Sequence, residues 1–459
     1  MTDHPYTVQS RAAESKADLF SARVPRYTSY PTAPHFHAGI NGATLKRWLA
    51  ELPPGMPLSL YLHIPFCDTL CWFCGCHTTV VNRYAPVEQY LKDLFTEIAN
   101  MGPLVRGHRV THLHWGGGSP TMLSPDDVRA LKRTLASHFD FSSNAEFAVE
   151  IDPRGLRDEM VAALAEAGVT RASIGVQDCD DAVQRAINRI QPFEETKSAV
   201  DRLRAAGIGA LNIDLIYGLP HQTLAHVART IDLSLSLSPQ RFAVFGYAHV
   251  PHFKKHMQLI DQTVLPDTEA RFEQFELAHE LITAADYVPI GLDHFARESD
   301  SLARAAKAGR LARNFQGYTS DDAPALIGLG ASAIGSLPQG YVQNHPDVPA
   351  WRKAVQAGDL PVARGIELTD EDRLRRAIIE RLMCDLEADL DREGAPYGMS
   401  AGNFAHELKL LEPLAAQGLV VVEGSRLRVP SAARAAVRLV ASKFDTFLGN
   451  GKAVHAVAV

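Results

Sequence analysis

The most informative stretch of this 459-residue chain is Tyr61-Leu62-His63-Ile64-Pro65-Phe66-Cys67, followed after three residues by Cys71-Trp72-Phe73-Cys74-Gly75-Cys76. The apolar run Leu58–Ile64 has the length and composition of a buried β-strand. Four of the six cysteines fall within ten residues directly after it, with the spacing C-x3-C-x2-C-x-C. Cysteines clustered in this way predict a metal or redox site rather than a disulfide scaffold.

Outward from this stretch, short apolar runs alternate with longer amphipathic segments from about residue 57 to 250. The runs, predicted as strands, are Leu58–Ile64, Val110–Trp115, Phe147–Ile151, Arg171–Val176, Leu211–Tyr217 and Phe242–Tyr247. The predicted helices between them are Val87–Met101, Pro125–Ser137, Arg157–Ala167, Glu194–Ala206 and Leu224–Leu237. Alternation of this kind predicts an α/β fold with a parallel sheet and outer helices. Six such units could form an open or closed barrel, or a doubly wound sheet.

The flanking segments suggest four regions. Residues 1–50 contain the turn-rich Pro25–Thr32 and are predicted to form an N-terminal arm packed on the body, although a disordered tail would suit residues 1–20. Residues 51–345 form the body, with a helix near 266–285 and a strand at Tyr287–Ile290 as an extension. We predict a linker at 346–365 and a helical domain at 366–459.

The last region carries clear helix and hairpin signals. Thr369 precedes acidic residues as a helix N-cap, and leucine or isoleucine then recurs every four residues from Leu374 to Leu386. Two later segments, 419–422 and 426–429, flank the turn Glu423-Gly424-Ser425. A hairpin after helices predicts a winged-helix-like module.

Composition excludes several functions. The formal net charge is −7 and the sequence pI is about 6.3, with no stretch dominated by lysine and arginine, so a nucleic-acid partner is not expected. No window reaches the ~18 apolar residues that span a bilayer, and the first twenty residues do not resemble a secretory signal. We therefore expect a cytoplasmic protein without a membrane partner.

Three interpretations of the cysteine cluster compete. Structural zinc would usually draw two C-x2-C pairs from separate segments, and free redox thiols are the second alternative. The third is a [4Fe–4S] cluster held by Cys67, Cys71 and Cys74, which would leave one iron open to a ligand. Cys76 could serve the reaction or only pack locally.

Polar side chains also occur at the ends of the other predicted strands. Strand two ends in the glycine-rich Gly116–Pro120, and later strands carry Glu150, Gln177 and Asp214. Parallel strands bring such ends to one side of a barrel. A buried carboxylate needs a donor, which could be a ligand hydroxyl or ammonium group, a loop amide, or an arginine such as Arg154. Arg189 could pair with a carboxylate or lie on a helix surface.

The cysteine motif and several other segments resemble those of known protein families. C-x3-C-x2-C after a strand, with an aromatic residue before the third cysteine, is the signature of the radical S-adenosylmethionine (SAM) superfamily. More specific segments resemble the family of oxygen-independent coproporphyrinogen III oxidases: Arg26–Thr32, the C-x-C ending at Cys76, Tyr247–Pro251, Gly291–Ala296 and Arg313–Thr319. The similarity extends from about residue 23 to Phe447.

The resemblance implies an incomplete (β/α)6 barrel with a mostly helical C-terminal domain and an N-terminal arm that helps to cover the substrate. It makes Cys67, Cys71 and Cys74 the cluster ligands, and Tyr61 and Cys76 the candidate catalytic residues. The implied SAM contacts are Tyr61, Phe73, Gly117, Gly118, Ser119, Glu150, Gln177, Arg189 and Asp214, with Ala248 and Ile334 lining a pocket for a second SAM. Ser119 replaces the usual threonine, and Cys179 stands where an aromatic residue is common.

The implied activity is conversion of two propionate side chains of coproporphyrinogen III to vinyl groups, initiated by a 5′-deoxyadenosyl radical and giving protoporphyrinogen IX. Because the substrate carries four carboxylates, cationic partners are expected, and Arg26 and Arg313 are our candidates. An electron donor such as flavodoxin or ferredoxin and a monomeric state are also implied. The alternative is a related haem chaperone, but such proteins generally lack the fourth cysteine, the 26–32 segment and the 313–319 segment.

Overall fold

A twelve-stranded sheet forms the centre of the computed structural model, which describes residues 22–449. The nineteen strands of this part of the chain are β1 (Leu58–Ile64), β2 (Phe66–Cys67), β3 (Thr79–Val80), β4 (Arg109–Gly117), β5 (Asp140–Ile151), β6 (Arg171–Gln177), β7 (Ala210–Tyr217), β8 (Arg241–Gly246), β9 (Tyr287–Ile290), β10 (His294–Arg297), β11 (Ala312–Asn314), β12 (Gly317–Thr319), β13 (Ala325–Leu329), β14 (Ile334–Leu337), β15 (Gly340–Asn344), β16 (Val362–Glu367), β17 (Glu387–Asp389), β18 (Val421–Glu423) and β19 (Arg426–Arg428).

The strand order across the large sheet is β16-β15-β14-β13-β1-β4-β5-β6-β7-β8-β10-β9. The strands from β13 to β8 in this order are parallel, and the strands beyond them on both sides pair antiparallel. The outermost strands, β16 and β9, do not pair with each other. The six predicted strands are therefore β1 and β4–β8 of an incomplete barrel, as the resemblance implies, and not of a doubly wound sheet.

The predicted crossover helices are present, with ends shifted by two residues at most. The α-helices of the described residues are α1 (Gly42–Ala50), α2 (Ala85–Met101), α3 (Pro125–His138), α4 (Asp158–Glu166), α5 (Asp181–Ala186), α6 (Phe193–Ala205), α7 (Leu224–Ser236), α8 (Thr268–Ala284), α9 (Ser301–Lys307), α10 (Val348–Gln356), α11 (Asp370–Asp385), α12 (Leu390–Gly394), α13 (Ala405–Ala416) and α14 (Val437–Ala441).

The central strand β1 explains the opening stretch of sequence. All seven of its residues are buried, because neighbouring strands cover both edges and both faces are packed. Its last residue, Ile64, lies beside Gly117 at the end of β4. The cysteine loop that follows β1 therefore begins next to the glycine-rich end of β4.

An ion-paired cluster holds the opposite end of the barrel. Asp300, which caps α9, accepts hydrogen bonds from Arg171 at the start of β6 (3.1 Å) and from Arg241 at the start of β8 (2.6 Å). Its side chain is only 4% exposed. Arg171 also contacts Glu146 at 3.2 Å. This network fixes the strand starts far from the cysteine loop.

The predicted linker at 346–365 is wrong. This segment contains α10, which packs against α2, and most of β16, which pairs with β15 from Asn344 to Gly340. Its apolar residues Trp351 and Val355 are completely buried, so the segment belongs to the body. We propose that the C-terminal region begins after Glu367 instead.

The C-terminal region has the helices and small sheet that the sequence predicts. Thr369 caps α11 and forms a reciprocal capping box with Asp372. Strands β17, β19 and β18 form a three-stranded sheet around the predicted hairpin. Buried residues of this region, including Leu374 and Ile378, belong to the same apolar core cluster as the barrel strands.

The described part of the arm, residues 22–50, packs on the body. The arm tyrosines are buried: the Tyr27 hydroxyl donates to Asp445 at 3.1 Å, and the Tyr30 hydroxyl lies 3.0 Å from Thr446 Oγ1. The tail predicted for residues 1–20 lies outside the described residues. Within residues 22–449, no helix combines the length and apolar character needed to cross a membrane.

Candidate active site

The cysteine loop lies over the carboxyl ends of the barrel strands and is anchored by main-chain atoms. Trp72 N donates to Ile187 O at 2.9 Å, and the Asn188 side chain donates to Leu70 O at 2.8 Å. From the other side, His256 Nε2 donates to Cys74 O at 2.8 Å. These bonds leave the thiols free to face a cavity of about 180 Å³.

This cavity brings together most of the predicted site residues. Those that line it are Cys67, Phe73, Cys71, Cys74, Cys76, Gly117, Gly118, Ser119, Glu150, Gln177, Arg189 and Asp214. They come from β1's loop and from β4, β5, β6 and β7, as expected for parallel strands, except that Arg189 comes from the loop between α5 and α6. Tyr61, Ala248 and Ile334 do not line it.

The cysteines suit an iron–sulfur cluster. Three thiols on one short loop open around a cavity instead of closing on one point, which favours a group of several atoms over a single tetrahedral ion. Guanidinium nitrogens of Arg189 and Arg154 lie 3.5 and 3.8 Å from Cys71 Sγ. Two positive charges therefore lie beside the thiol of Cys71.

The glycine-rich end of β4 forms a close wall of this cavity. Gly118 N donates to Ile64 O at 2.8 Å, and Ser119 N donates to Phe66 O at 2.7 Å. A β-carbon at Gly118 would collide with the main chain of Phe66. Gly117 has a φ of +116°, a conformation that residues with a side chain rarely adopt. The two glycines therefore let the β4 loop lie directly against the cysteine loop.

Gly118→Ala is expected to displace the cysteine loop and to weaken SAM binding by about tenfold or more, since a backbone collision cannot be relieved by a side-chain rotation. Equilibrium binding of SAM to the anaerobically reconstituted variant measures the effect. Gly209→Ala is the control, because that exposed glycine has no positive φ and no atom near its virtual β-carbon. Equal SAM affinity of the Gly118 variant and the wild type would contradict the close-contact role.

The two barrel carboxylates have protein partners and still face the cavity. Glu150 accepts from Gly117 N at 3.0 Å and from His114 Nε2 at 3.1 Å. Burial acts to raise the pKa of Glu150, but these bonds lower it overall, so the group stays ionised. The loop-amide alternative is thus observed for Glu150.

Asp214 has a different environment from Glu150. Its carboxylate accepts from Ser173 Oγ at 2.9 Å and from Asn212 Nδ2 at 2.7 Å. Burial, opposed by the bond from Ser173 and reinforced by the charge of Glu150, raises the pKa of Asp214 to about 6. The two carboxylates are therefore not electrostatically equivalent: Asp214 takes up a proton more readily.

Arg189 is buried, so the surface-helix alternative is wrong. Its guanidinium donates to Asp152 Oδ2 at 3.1 Å, to Gly175 O at 2.8 Å and to Gln191 Oε1 at 3.1 Å. Arg154 pairs with the same carboxylate at 2.6 Å and not with Glu150 or Asp214. These bonds place a positive charge against the cysteine loop.

Three residues near the site were not selected from the sequence. Asp152 pairs with both Arg154 and Arg189. Because side chains alternate along a strand, the inner position of Glu150 predicts that Asp152 lies on the inner face as well. His63 and His114 contact Tyr61 and Glu150, respectively. The same two-residue alternation from Tyr61 along β1 would have identified His63.

Tyr61 belongs to a buried hydrogen-bonded chain beside the cavity. His63 Nε2 lies 2.9 Å from the carbonyl oxygen of His77, which can only accept, so this nitrogen carries the hydrogen. His63 Nδ1 then accepts from the Tyr61 hydroxyl at 2.9 Å. Burial lowers the pKa of His63 to about 4, and the ring is neutral at pH 7.

The remaining predicted residues have separate positions. Cys76 lines the cavity, and its N–H donates to Cys74 Sγ at 3.4 Å; its role in the reaction stays a prediction. Ile334 packs beside the apolar cluster of Phe36 and Tyr341. Ala248 follows the end of β8. A pocket shared by Ala248 and Ile334 remains a prediction.

The sequence of this chain is similar to a known superfamily model and to known enzymes. The sequence model of the Radical SAM superfamily matches residues 61–234. The oxygen-independent coproporphyrinogen III oxidase of Bradyrhizobium diazoefficiens is 50% identical over 438 residues, covering 95% of this chain and 97% of the relative. The enzyme of the same name from Paracoccus denitrificans is 44% identical over 443 residues, covering 96% and 98%.

A solved structure shares the whole architecture. Coproporphyrinogen III oxidase from Escherichia coli, described as a radical SAM enzyme, superimposes with a TM-score of 0.88 at 38% identity. The match covers 92% of this chain and 97% of that structure. It therefore extends well beyond residues 61–234, which the superfamily model matches.

Proposed function

Because the chain belongs to the family of oxygen-independent coproporphyrinogen III oxidases within the radical SAM superfamily, we infer that it is an oxidoreductase of haem biosynthesis. It converts two propionate side chains of coproporphyrinogen III to vinyl groups and yields protoporphyrinogen IX. Its cofactors are a [4Fe–4S] cluster and SAM. The observation that carries this function is the single cavity that unites the cysteine loop with four strand ends.

When bound, the two cofactors would supply the radical chemistry that removes one hydrogen atom from a substrate propionate; loss of carbon dioxide, with transfer of one electron to an external one-electron acceptor, would then leave the vinyl group. We propose that Cys67, Cys71 and Cys74 hold the cluster. We propose roles for the other residues of the cavity from their charge and their position.

Two kinds of charged group face the cavity and suit the two ends of SAM. Arg189 offers a buried cation next to the cysteine loop, which would bind the carboxylate of the methionine part. Glu150 and Asp214, on the adjacent strand ends, would accept from its ammonium group and ribose hydroxyls. Gly117, Gly118 and Ser119 would shape the wall, with Phe73 and Gln177 completing it.

Tyr61 and Cys76 are the proposed catalytic candidates next to this wall. The Tyr61 hydroxyl is directed by His63, and Cys76 faces the cavity beside the cluster ligands. A conservative pair of variants, Tyr61→Phe and Cys76→Ser, separates participation in the reaction from cluster assembly, because neither removes one of the three proposed cluster ligands.

The deciding experiment is anaerobic incubation of the reconstituted protein with SAM, a reductant and coproporphyrinogen III. Release of carbon dioxide together with a divinyl product is expected. Haem binding without either product would instead support the chaperone alternative, which the family relationship disfavours. Mass spectrometry of the tetrapyrrole separates the two outcomes.

The partners beyond the substrate are also proposals. A one-electron protein donor such as flavodoxin or ferredoxin would reduce the cluster, since no residue of this chain can supply electrons repeatedly. The monomeric state, the cytoplasmic location, the lack of nucleic-acid and membrane partners and the second SAM stay predictions. Comparing turnover driven by a purified flavodoxin with turnover driven by dithionite would test the donor class.

A further inference from the structure

Three arginines from distant parts of the chain meet at the carboxyl ends of β7 and β8. Arg26 of the arm donates to Gly246 O, at the end of β8, at 2.6 Å. Arg313 of β11 donates to the main-chain oxygen of Arg26 at 3.2 Å. Arg438 of α14 donates to Pro25 O at 3.0 Å. We call these three residues the arginine cluster.

The positive charges of Arg26 and Arg313 are not balanced by ion pairs. The ion pairs within residues 22–449 include neither Arg26 nor Arg313, whose hydrogen bonds go to neutral carbonyl oxygens. The carboxylate that faces both is Asp293. Burial acts to raise the pKa of Asp293, but the bond from His294 and the charges of Arg313 and Arg26 lower it to about 2.

Crowding of like charges is also visible at Arg438. Burial and the nearby charge of Arg26 lower its pKa to about 9. Arg26 and Arg313 thus share Asp293 as their nearby carboxylate, and Arg438 adds a third positive charge beside them. Such an arrangement is unfavourable without a further anion, because buried charges require compensation.

The arginine cluster also has unused donors and an open side. Nε and Nη1 of Arg313 are shielded from solvent and have no hydrogen-bond partner in the described part of the chain. The Arg26 side chain is exposed, and its guanidinium lies against the main chain of Gly246 at the end of β8. A guanidinium with free N–H groups matches a carboxylate in shape and charge.

The arginine cluster lies beside the candidate active site. Gly246 pairs with Tyr217, and β7 carries Asp214 three residues before Tyr217. The loop that follows Arg313 brings the Gln316 side chain to the Tyr61 hydroxyl. A ligand that reaches both the cavity and the arginine cluster must therefore carry a carboxylate some distance from its reacting carbon.

We propose that the arginine cluster binds propionate carboxylates of the substrate other than the one that reacts, and thereby orients the tetrapyrrole over the cavity. This inference rests on the proposed function, which supplies a substrate with four carboxylates. Arg26 and Arg313 are positioning residues in this role. Arg438 adds charge and anchors the arm through Pro25.

The test uses the reconstituted holoenzyme under anaerobic conditions with Arg26→Gln and Arg313→Gln. Glutamine keeps a hydrogen-bond donor for the carbonyl oxygens but removes the charge. We expect KM for coproporphyrinogen III to rise about tenfold or more in each variant, with kcat within about threefold of the wild type. Arg310→Gln is the matched control, because Arg310 is three residues from Arg313 but pairs with Asp322 at the surface.

Thermal unfolding without substrate separates binding from a structural role. Removing one of three crowded charges should leave Tm unchanged or raise it, whereas loss of a structural arginine would lower it. Arg313→Lys, which keeps the charge but not the planar fork, should recover part of the affinity. The tetramethyl ester of the substrate should bind the wild type and the glutamine variants equally weakly.

The outcomes are distinct. An unchanged KM in both glutamine variants, an equal KM rise in Arg310→Gln, or tight binding of the ester by the wild type would overturn the proposed carboxylate site. A wild-type protein that cleaves SAM but never decarboxylates the tetrapyrrole would instead refute the proposed function.

Discussion

Cys71→Ala is expected to abolish cluster assembly, SAM cleavage and decarboxylation, lowering turnover by on the order of 10³-fold or more, equivalent to at least ~4 kcal/mol in the barrier. Cys71 is the buried member of the three proposed ligands, and two guanidinium groups lie beside its sulfur. Iron content, the brown colour of the reconstituted protein and SAM-dependent formation of 5′-deoxyadenosine measure the loss.

Cys179→Ala is the control for Cys71→Ala. Cys179 is also partly shielded, but it packs against the core and is not part of the cysteine loop. The control should retain its colour and turnover. A brown, active Cys71→Ala protein would refute the ligand assignment, and equal losses in both variants would indicate general instability instead.

Asp300→Asn is expected to destabilise the protein by about 3–5 kcal/mol, because it leaves Arg171 and Arg241 buried without their shared carboxylate. An asparagine can accept from one arginine, but its NH₂ group then faces the other. Thermal and urea unfolding at pH 7 measure the effect. Asp181→Asn, which breaks the exposed pair with Arg185, should change stability little.

The pH dependence of the Asp300 effect has a definite sign. Burial acts to raise the pKa of Asp300, but the charges of Arg241 and Arg171 lower it overall. The folded state therefore gains stability from this group at neutral pH and loses it as the pH falls below about 4. The difference between wild type and Asp300→Asn should shrink on acidification; a constant difference would argue against the ion-paired role.

The central strand β1, the cysteine loop and helix α11 were predictable because the residues that identify each of them lie close together in the sequence. Strand β1 is buried on both faces, so its seven residues form a nearly continuous apolar run that identifies it as a strand. The cysteine motif follows this run directly in the sequence. Helix α11 was predictable from Thr369 and its acidic first turn, which form the observed capping box. In each case neighbouring residues carry the pattern.

The antiparallel edge was not predictable in the same way. Strands β13–β15 are four or five residues long and contain Gly328, Gly335 and Gly340, which interrupt any apolar period. Gly340 approaches the main chain of Ile366 so closely that a β-carbon would collide with it. That requirement arises from the partner strand β16, so it is invisible until the two strands are paired.

The candidate site was predictable in composition but not in pairing. Parallel strand ends predicted that Glu150, Gln177 and Asp214 share one side, and they line one cavity. The sharing of Asp152 by Arg154 and Arg189 depends on how two loops fold against each other, 37 residues apart. Sequence spacing alone gives no such distance.

The bond between Tyr27 and Asp445 has a consequence for biosynthesis, because the partners are 418 residues apart. At the ~5–20 residues per second of translation, the ribosome needs roughly 20–80 s to produce Asp445 after Tyr27. During this interval the arm can reach its partners on the barrel, such as Gly246 and Gly365, but Tyr27 lacks its carboxylate acceptor. The last contacts of the arm therefore form only after the C-terminal region has been synthesised.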